Sequence, residues 1–489
     1  MKVKLVYPKI EEAVSFELAN KIMGIKISAI PLAVPTLAAL TPNKFEVLIE
    51  DENLKPLGYG DDSDLIGINY NTHNAKRAYE IADEFKKRDK TVIMGGIHAS
   101  MMPEEALRHC DAVVVGEAEN LWPSAINDFE RGELKPIYKS NECVELTQPV
   151  IPRWDLINTR RYFFIPIQIS RGCPHNCEFC LDSKYYGRQI RIKPVEHVIQ
   201  ELDFIYENEK SRRIIFGDYN FLYDVSYLEK ISRHLEKIKL KNWMVFGTIG
   251  IGREPQILEL LAKGGCSIIN VGIESVSQKS LDMLGRKTYK ASELKELIEN
   301  IRSYGLDVFA GFMFGSDADT PEIFEETVRF IDETSLFLPQ INILQPYPGS
   351  DLYDRLKASN RLLFGEQWEK YERHKVCFKP NTMSVEQLQE GYDWTIRKLF
   401  SHDAILDRLN RLLKKGFHTR EKFEEQMPNY FAKYASMTLT KLLPLLTPDP
   451  GLKQFLKLCN RQPIQPSLQV LLVAIGYHRS YAKHLGEEF

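Results

Sequence analysis

Short apolar runs alternate with amphipathic helical stretches along most of this chain, and that alternation leaves few folds open. A strand, a helix and a second strand in succession build a parallel sheet, because the helical crossover returns the chain to the same starting edge. In residues 1 to about 140 the predicted strands are Val3–Tyr7, Phe45–Glu50, Leu65–Tyr70, Thr91–Gly95 and Ala112–Gly116. Between the third and fourth, Ala78, Ile81, Ala82 and Phe85 mark one face of a helix. The expectation is a doubly wound, Rossmann-like α/β sheet with its ligand site at the carboxyl ends of the strands. Three loops occupy those ends: Asn71-Thr72-His73, Gly95-Gly96-Ile97-His98-Ala99 and Gly116-Glu117-Ala118-Glu119. Glycine there lets backbone approach a ligand, although tight packing uses glycine too. No G-x-G-x-x-G occurs, which disfavours a dinucleotide. Six further units run from Phe164 to about Gly349, with strands over Ile165–Ser170, Arg213–Gly217, Met244–Thr248, Ile268–Gly272, Val308–Phe314 and Ile341–Gln345. Six units make a partial (β/α)6 barrel, again with chemistry at the carboxyl ends.

After the first barrel strand the chain reads Arg171-Gly-Cys-Pro-His-Asn-Cys-Glu-Phe-Cys180, a C-x3-C-x2-C triad of Cys173, Cys177 and Cys180. A four-iron cluster given three thiolates keeps one iron open to a small molecule. Two blander readings stand beside it: buried cysteines acting as small hydrophobes, and a zinc site completed by His175. The other cysteines, at 110, 143, 266, 377 and 459, are scattered, as suits a metal site in a reducing cytosol better than a disulfide scaffold. Other barrel strand ends carry polar or small residues: Gly217-Asp218-Tyr219-Asn220, Thr248, Glu274-Ser275 and Gly311-Phe312. Turns need such residues anyway, so each is weak alone. Arg171 and Arg188 either offset charge near the triad or sit in solvent.

The formal net charge of −3 over 489 residues argues against a general nucleic-acid partner. Residues 401–489 hold 13 Lys/Arg against 8 Asp/Glu, so the tail is the basic region. Beyond Ser384 the pattern is helical, with a basic segment Arg408–Lys422, a proline-broken stretch Leu442–Pro450 and a helix from near Ser467 presenting Leu468, Leu471, Leu472 and Ile475 on one face. Such a tail caps the barrel or lies on a membrane surface, and the cap is the favoured reading. The amino terminus reaches acidic residues too early for a signal peptide, and no apolar run is long enough to span a bilayer, so the expected location is cytoplasmic. The expected domains are 1–140, 141–384 and 385–489.

The Gly172-Cys173-Pro174 start, the triad spacing and Phe179 resemble the radical S-adenosylmethionine (SAM) superfamily. Gly-Gly-x-His-Ala-Ser from Gly95 and Val-Gly-Glu-Ala-Glu from Val115 look like the cobalamin-binding domain of its cobalamin-dependent subfamily. Gly311–Thr320 and Asn342–Gly349 resemble the hopanoid-methylase branch. The resemblance implies a 4Fe-4S cluster on Cys173, Cys177 and Cys180, with SAM near Phe179, Gly217, Asp218, Asn220, Thr248, Glu274, Ser275, Gly311 and Phe312. It implies cobalamin near Gly95, Gly96, His98, Gly116 and Glu117. The D-x-H-x-x-G motif that supplies an axial histidine in cobalamin mutases is absent, since the loop after the first strand reads Pro8-Lys9-Ile10-Glu11-Glu12. Cobalamin is therefore expected with its nucleotide tail tucked into the domain, its lower face near Tyr70, Asn71 and Thr72, with His73 a less favoured contact. The implied activity is methylation of an unactivated carbon of a small molecule, through a 5'-deoxyadenosyl radical and methylcobalamin. An external one-electron reductant such as flavodoxin or ferredoxin is implied as partner. The alternative is a non-methylating ring formation, cyclisation or rearrangement with the same cofactors, distinguished by product mass.

Overall fold

The computed structural model describes residues 1–10, 27–60, 62–147, 149–208, 214–218, 220–337, 339–417, 450–460 and 484–486. Seven strands lie in the amino-terminal part: β1 (Lys2–Tyr7), β2 (Ile27–Ala29), β3 (Glu46–Asp51), β4 (Leu65–Asn69), β5 (Thr91–Gly95), β6 (Ala112–Val115) and β7 (Ile137–Lys139). Six form one parallel sheet in the order β3-β1-β4-β5-β6-β7. This is the expected doubly wound sheet, extended at its edge by β7, which is too short to carry an alternation legible in sequence. Helix Ala75–Lys86 lays Ala78, Ile81, Ala82 and Phe85 on the sheet, as its periodicity predicts. Helices cover both faces, so β1 is buried along nearly its whole length.

The second sheet contains β8 (Tyr162–Ile167), β11 (Ile214–Phe216), β12 (Trp243–Gly247), β13 (Cys266–Glu274), β14 (Asp307–Phe314) and β15 (Gln340–Ile343), all parallel. These are the six strands of the partial barrel. The expected first strand, Ile165–Ser170, lies three residues further along the chain than β8. A two-stranded antiparallel ladder, β9 (Ser170–Arg171) with β10 (Arg191–Ile192), follows it. The sheet also has a seventh member: β2 pairs in parallel with β8, Ile27 opposite Tyr162. A strand from the amino-terminal part thus covers what would be an open barrel edge, and three residues give no sequence sign of that role.

In the described part of the tail, Leu388, Ile396, Leu409, Leu412 and Leu456 belong to the same apolar core as the barrel strands. Arg408, the first residue of the basic segment, is fully buried and donates to Asp332 Oδ1 at 3.1 Å and to the Leu399 carbonyl. Its charge is spent inside the protein. The stretch Leu442–Thr447 and the helix expected near Ser467 lie outside the described residues. No helix among the described residues is long and apolar enough to cross a membrane.

Candidate active site

Because Arg171 and Arg191 are register partners in the β9–β10 ladder, residues 172–190 form an excursion closed at its base. Gly172 opens it with φ +88°, and a Cβ there would overlap the Gln189 carbonyl, so only glycine fits. The Cys173 amide donates to the Gly187 carbonyl at 3.1 Å, and Asn220 Nδ2 donates to the Gly172 carbonyl at 2.7 Å. From the far side of the barrel, Leu352 N donates to the Glu178 carbonyl at 2.9 Å and Arg355 pairs with the Glu178 carboxylate. Cys173 and Cys177 are buried and Cys180 is half-buried. Burial, with Asp182 beside it, pushes the Cys180 thiol up to about 12, and burial also raises Cys177. A thiolate at Cys177 or Cys180 therefore needs a cation. The thiols lie within Coulombic reach of one another, yet among the described residues no three His, Cys, Asp or Glu side chains gather tightly enough for a single metal ion. His175 lies near Arg286, which with burial lowers its pKa.

The remaining SAM-side residues fall into two groups. Gly217 and Asn220 stand at the mouth beside the excursion. Thr248 Oγ1 meets Tyr223 OH at 2.7 Å, Glu274 pairs with Arg286, and Ser275 Oγ accepts from Ser277 N at 3.1 Å. The Arg286 guanidinium in turn lies 5.7 Å from the Phe179 ring centre, tying β13 to the excursion. Glu274 has φ +65°, a conformation that L residues rarely adopt, at the irregular register between Gly272 and Glu274. Asp218 and Phe312 are placed otherwise than expected for side-chain contacts with SAM. The Asp218 carboxylate accepts from Ile169 N at 2.6 Å, Ser170 N at 3.0 Å and Ser170 Oγ, which fixes the strand end from which the excursion departs. Burial nevertheless raises its pKa to about 6. Phe312 packs edge-on to Phe330 on the helix side, because strand alternation turns it away from the lumen-facing Gly311. Tyr219 lies outside the described residues. Arg171 is spent on Glu117 and Glu119, and Arg188 on Asn176 Oδ1 at 2.5 Å.

A cavity of about 690 Å³ separates the strand ends of the two sheets. Asn69, Gly95, Gly96 and Gly116 line it from the amino-terminal sheet, and Gln168 and Gly217 from the barrel. It continues down the sheet face beneath helix Ala33–Leu40 as far as Gly67 and Trp122. An added Cβ at Gly67 would approach Leu5 and Trp122 at 2.8 Å, so glycine there lets those two side chains pack against the sheet at the end of the channel. Gly96 has φ +107° and Gly116 φ +92°, and both present backbone to the gap. This channel fits a flat ring with a tail tucked against the domain. Residues Cys143–Thr147 with Pro149 and Val150 contribute part of the wall, and they have no motif by which the sequence could have marked them.

Tyr70, Thr72 and His98 need correction as cofactor contacts. Tyr70 is fully buried on the opposite side of the sheet from Gly67 and Asn69, with its hydroxyl 3.3 Å from Tyr79 OH. His98 is fully buried, its Nδ1 3.0 Å from Thr72 Oγ1 and its ring edge-on to Trp368. Asn71 donates its backbone N–H to Asn74 Oδ1 at 2.8 Å and caps a short helical turn. His73 Nε2 lies 2.7 Å from Tyr347 OH, and burial lowers its pKa to about 3. No histidine lines the cavity among the described residues. Glu117 lines it, but its carboxylate is engaged by Arg171 and Arg191.

Comparison with known proteins agrees with this geometry. The Radical SAM superfamily model matches residues 167–331, the B12 binding domain model residues 45–125, and a Domain of unknown function (DUF4070) residues 350–478. The bacteriochlorophyllide d C-8(2)-methyltransferase of Chlorobaculum tepidum is 34% identical over 71% of this chain and 80% of its own. The hopanoid C-2 methylase of Rhodopseudomonas palustris is 28% identical over 80% of this chain and 75% of its own. The structure of the cobalamin-dependent SAM radical enzyme OxsB with aqua-cobalamin bound superposes with TM-score 0.66 at 16% identity, over 99% of this chain and 80% of that one, which shows the shared fold. The chain belongs to the cobalamin-binding radical SAM family. It is a cobalamin-dependent radical SAM methyltransferase whose cofactors are a 4Fe-4S cluster, SAM and cobalamin.

Proposed function

We propose that this methyltransferase acts on an unactivated carbon of a large, weakly polar ring system that enters the barrel lumen. The observation that carries the reading is the chemistry of the lumen. Paired residues of a parallel sheet share a face, so the register defines its layers. Pro166, Ile215, Met244 and Ile268 form an apolar floor that ends at Asp307 on β14. Above it lie Phe246, Asn270 and Phe309, then Gly272, Gly311 and Gln340, with Met313 and Asn342 beyond. Phe246 is 38% exposed although its strand neighbours Trp243 and Val245 are fully buried, so the lumen is open above the floor. Two carboxylates stand on lumen-facing strand positions: Asp307 is paired with Arg302 at 3.0 Å, and Glu274 with Arg286. Aromatic walls and amides, with both lumen carboxylates paired among the described residues, suit an apolar ring system better than an amino acid or a nucleotide. The bacteriochlorophyllide and hopanoid in the names of its relatives are of that kind.

In this reading Cys173, Cys177 and Cys180 hold the cluster. Gly217, Asn220, Thr248, Glu274, Ser275 and Gly311 frame SAM, and Asn69, Gly95, Gly96 and Gly116 frame the corrin. When bound, the cluster and SAM supply a 5'-deoxyadenosyl radical and cobalamin supplies the methyl group. The chain's own contribution is to hold both groups on one substrate and to keep water from the gap. A flavodoxin or ferredoxin delivers the electron.

The test uses anaerobically reconstituted enzyme, reductant and methyl-deuterated SAM, offered the apolar and the water-soluble extracts of a deletion strain. A labelled methyl group, with the mass gain of one methylene plus deuterium, is expected in the apolar extract. Label confined to a charged, water-soluble product overturns the reading.

A further inference from the structure

The base of the cysteine excursion is clamped by the loop that follows β6. Arg171 and Arg191 are cross-strand partners where the excursion leaves and rejoins the barrel. Glu117 meets both, Oε1 accepting from Arg171 Nη1 at 3.0 Å and Oε2 from Arg191 Nη1 at 2.8 Å. Glu119 accepts from the other terminal nitrogen of Arg171 at 2.6 Å. Two further bonds bind the same segments: Tyr185 OH donates to the Gly116 carbonyl at 2.9 Å, and Val144 N donates to Glu117 Oε2 at 2.7 Å. The Arg191 and Glu117 side chains are each only 5% exposed.

Two guanidiniums and two carboxylates balance, and a balanced, desolvated set tolerates little displacement, because any shift strands a charge without its partner. The Gly116–Glu119 loop forms cavity wall, and Arg171 stands two residues before Cys173. Loop and excursion therefore share one rigid joint. We infer that Glu117 is a positioning residue that couples the two cofactor sites: a corrin seated against the Gly116–Glu119 wall stabilises the excursion that holds the cluster. The inference rests on the corrin occupying this cavity and is independent of the substrate.

The experiment measures the rate at which a ferrous chelator removes iron from reconstituted holoenzyme, followed by charge-transfer absorption, with and without hydroxocobalamin. In the wild type, cobalamin is expected to slow iron loss by about five-fold or more. In Glu117→Gln the iron is lost faster and the ratio falls to about one, even at cobalamin concentrations that saturate the variant. A residue with a merely structural role would speed iron loss equally in both conditions and keep the ratio. An unchanged ratio in Glu117→Gln, or no protection in the wild type, overturns the inference. If Glu117→Gln does not fold, Glu119→Gln carries the test, since it removes one of Arg171's two carboxylates and leaves Arg191 untouched; its ratio is expected to fall, and an undiminished ratio overturns the coupling. Failure of cobalamin to bind the wild type at all would instead defeat the assignment of the cavity.

Discussion

The barrel and the amino-terminal sheet both present strand ends to the same gap, but they furnish it differently. The barrel offers side chains: three cysteines on an excursion whose base is locked by Gly172, Asn220 and Asp218. The amino-terminal sheet offers backbone: Gly95, Gly96 and Gly116 line the cavity, while Tyr70, Thr72 and His98 turn inward and fasten the sheet to the helices and to Trp368. Iron needs specific donor atoms at specific places, so its site is written in residue type. A large flat cofactor needs an absence of side chains and many weak contacts, so its site is written in gaps.

The sharpest way to break that contrast is at the cysteines. Replacing Cys173, Cys177 and Cys180 together with alanine is expected to reduce iron to background and to abolish 5'-deoxyadenosine formation, because of the other five cysteines only Cys143 lies against the excursion, and one thiolate cannot hold a cluster. Cobalamin retention should survive, though weakened. Iron at the wild-type level in the triple variant would refute the ligand set.

Two glycines test whether each region is held by its own backbone geometry. A Cβ at Gly172 would overlap the Gln189 carbonyl, and one at Gly96 would overlap the Tyr70 carbonyl; both residues have positive φ. Each alanine variant should lose about 2 kcal/mol or more locally. Gly172→Ala should deplete iron and leave most of the corrin bound, though more weakly, and Gly96→Ala should do the reverse, as read by iron content and bound corrin in the same samples. Parallel loss of both cofactors in both variants would show that the two regions form one site and not two.

Periodicity exposed the two parallel sheets and the helix stripe of Ala78, Ile81, Ala82 and Phe85, because burial on one face is a local pattern. It did not expose β2 crossing to the barrel, since pairing with β8 is a long-range choice made by three residues. The cysteine spacing announced the cluster. The fault lay in reading conspicuous residues as contacts: Tyr70 and His98 satisfy their hydrogen bonds inside the domain, and Asp218 satisfies backbone donors. Asn69 and the Cys143–Thr147 wall carry no motif, and only the folded chain brings them to the gap.

A smaller effect separates a structural Asp218 from a ligand. Its pKa is raised from 3.8 to about 6, chiefly by burial, so the native state holds a proton that the unfolded chain has already released. Its contribution to stability is therefore most favourable at low pH and is lost as pH rises through about 6. Asp218→Asn should flatten that part of the profile, removing the fall in stability between the ends of the window. Denaturant unfolding of wild type and variant across this range checks it. Parallel profiles would mean that Asp218 is already ionised in the native protein, held so by the donors around it.

The smallest expected effect is none at all, and it bears on the gap itself. Bound cobalamin in its reduced paramagnetic state should show no nitrogen hyperfine splitting from an axial base. The loop after β1 lacks the D-x-H-x-x-G histidine, and no histidine lines the cavity among the described residues. The two nearest candidates are already engaged, His73 with Tyr347 OH at 2.7 Å and His98 with Thr72 Oγ1 at 3.0 Å. His73→Ala should leave the spectrum unchanged, and so should His98→Ala, although the latter cuts a buried hydrogen bond and should lower thermal stability. A corrin tail laid along the channel toward Gly67 and Trp122 would keep its own base away from cobalt. Nitrogen splitting that disappears in either variant would mean that the amino-terminal sheet, too, presents a side chain to its cofactor, and the contrast between the two regions would fall.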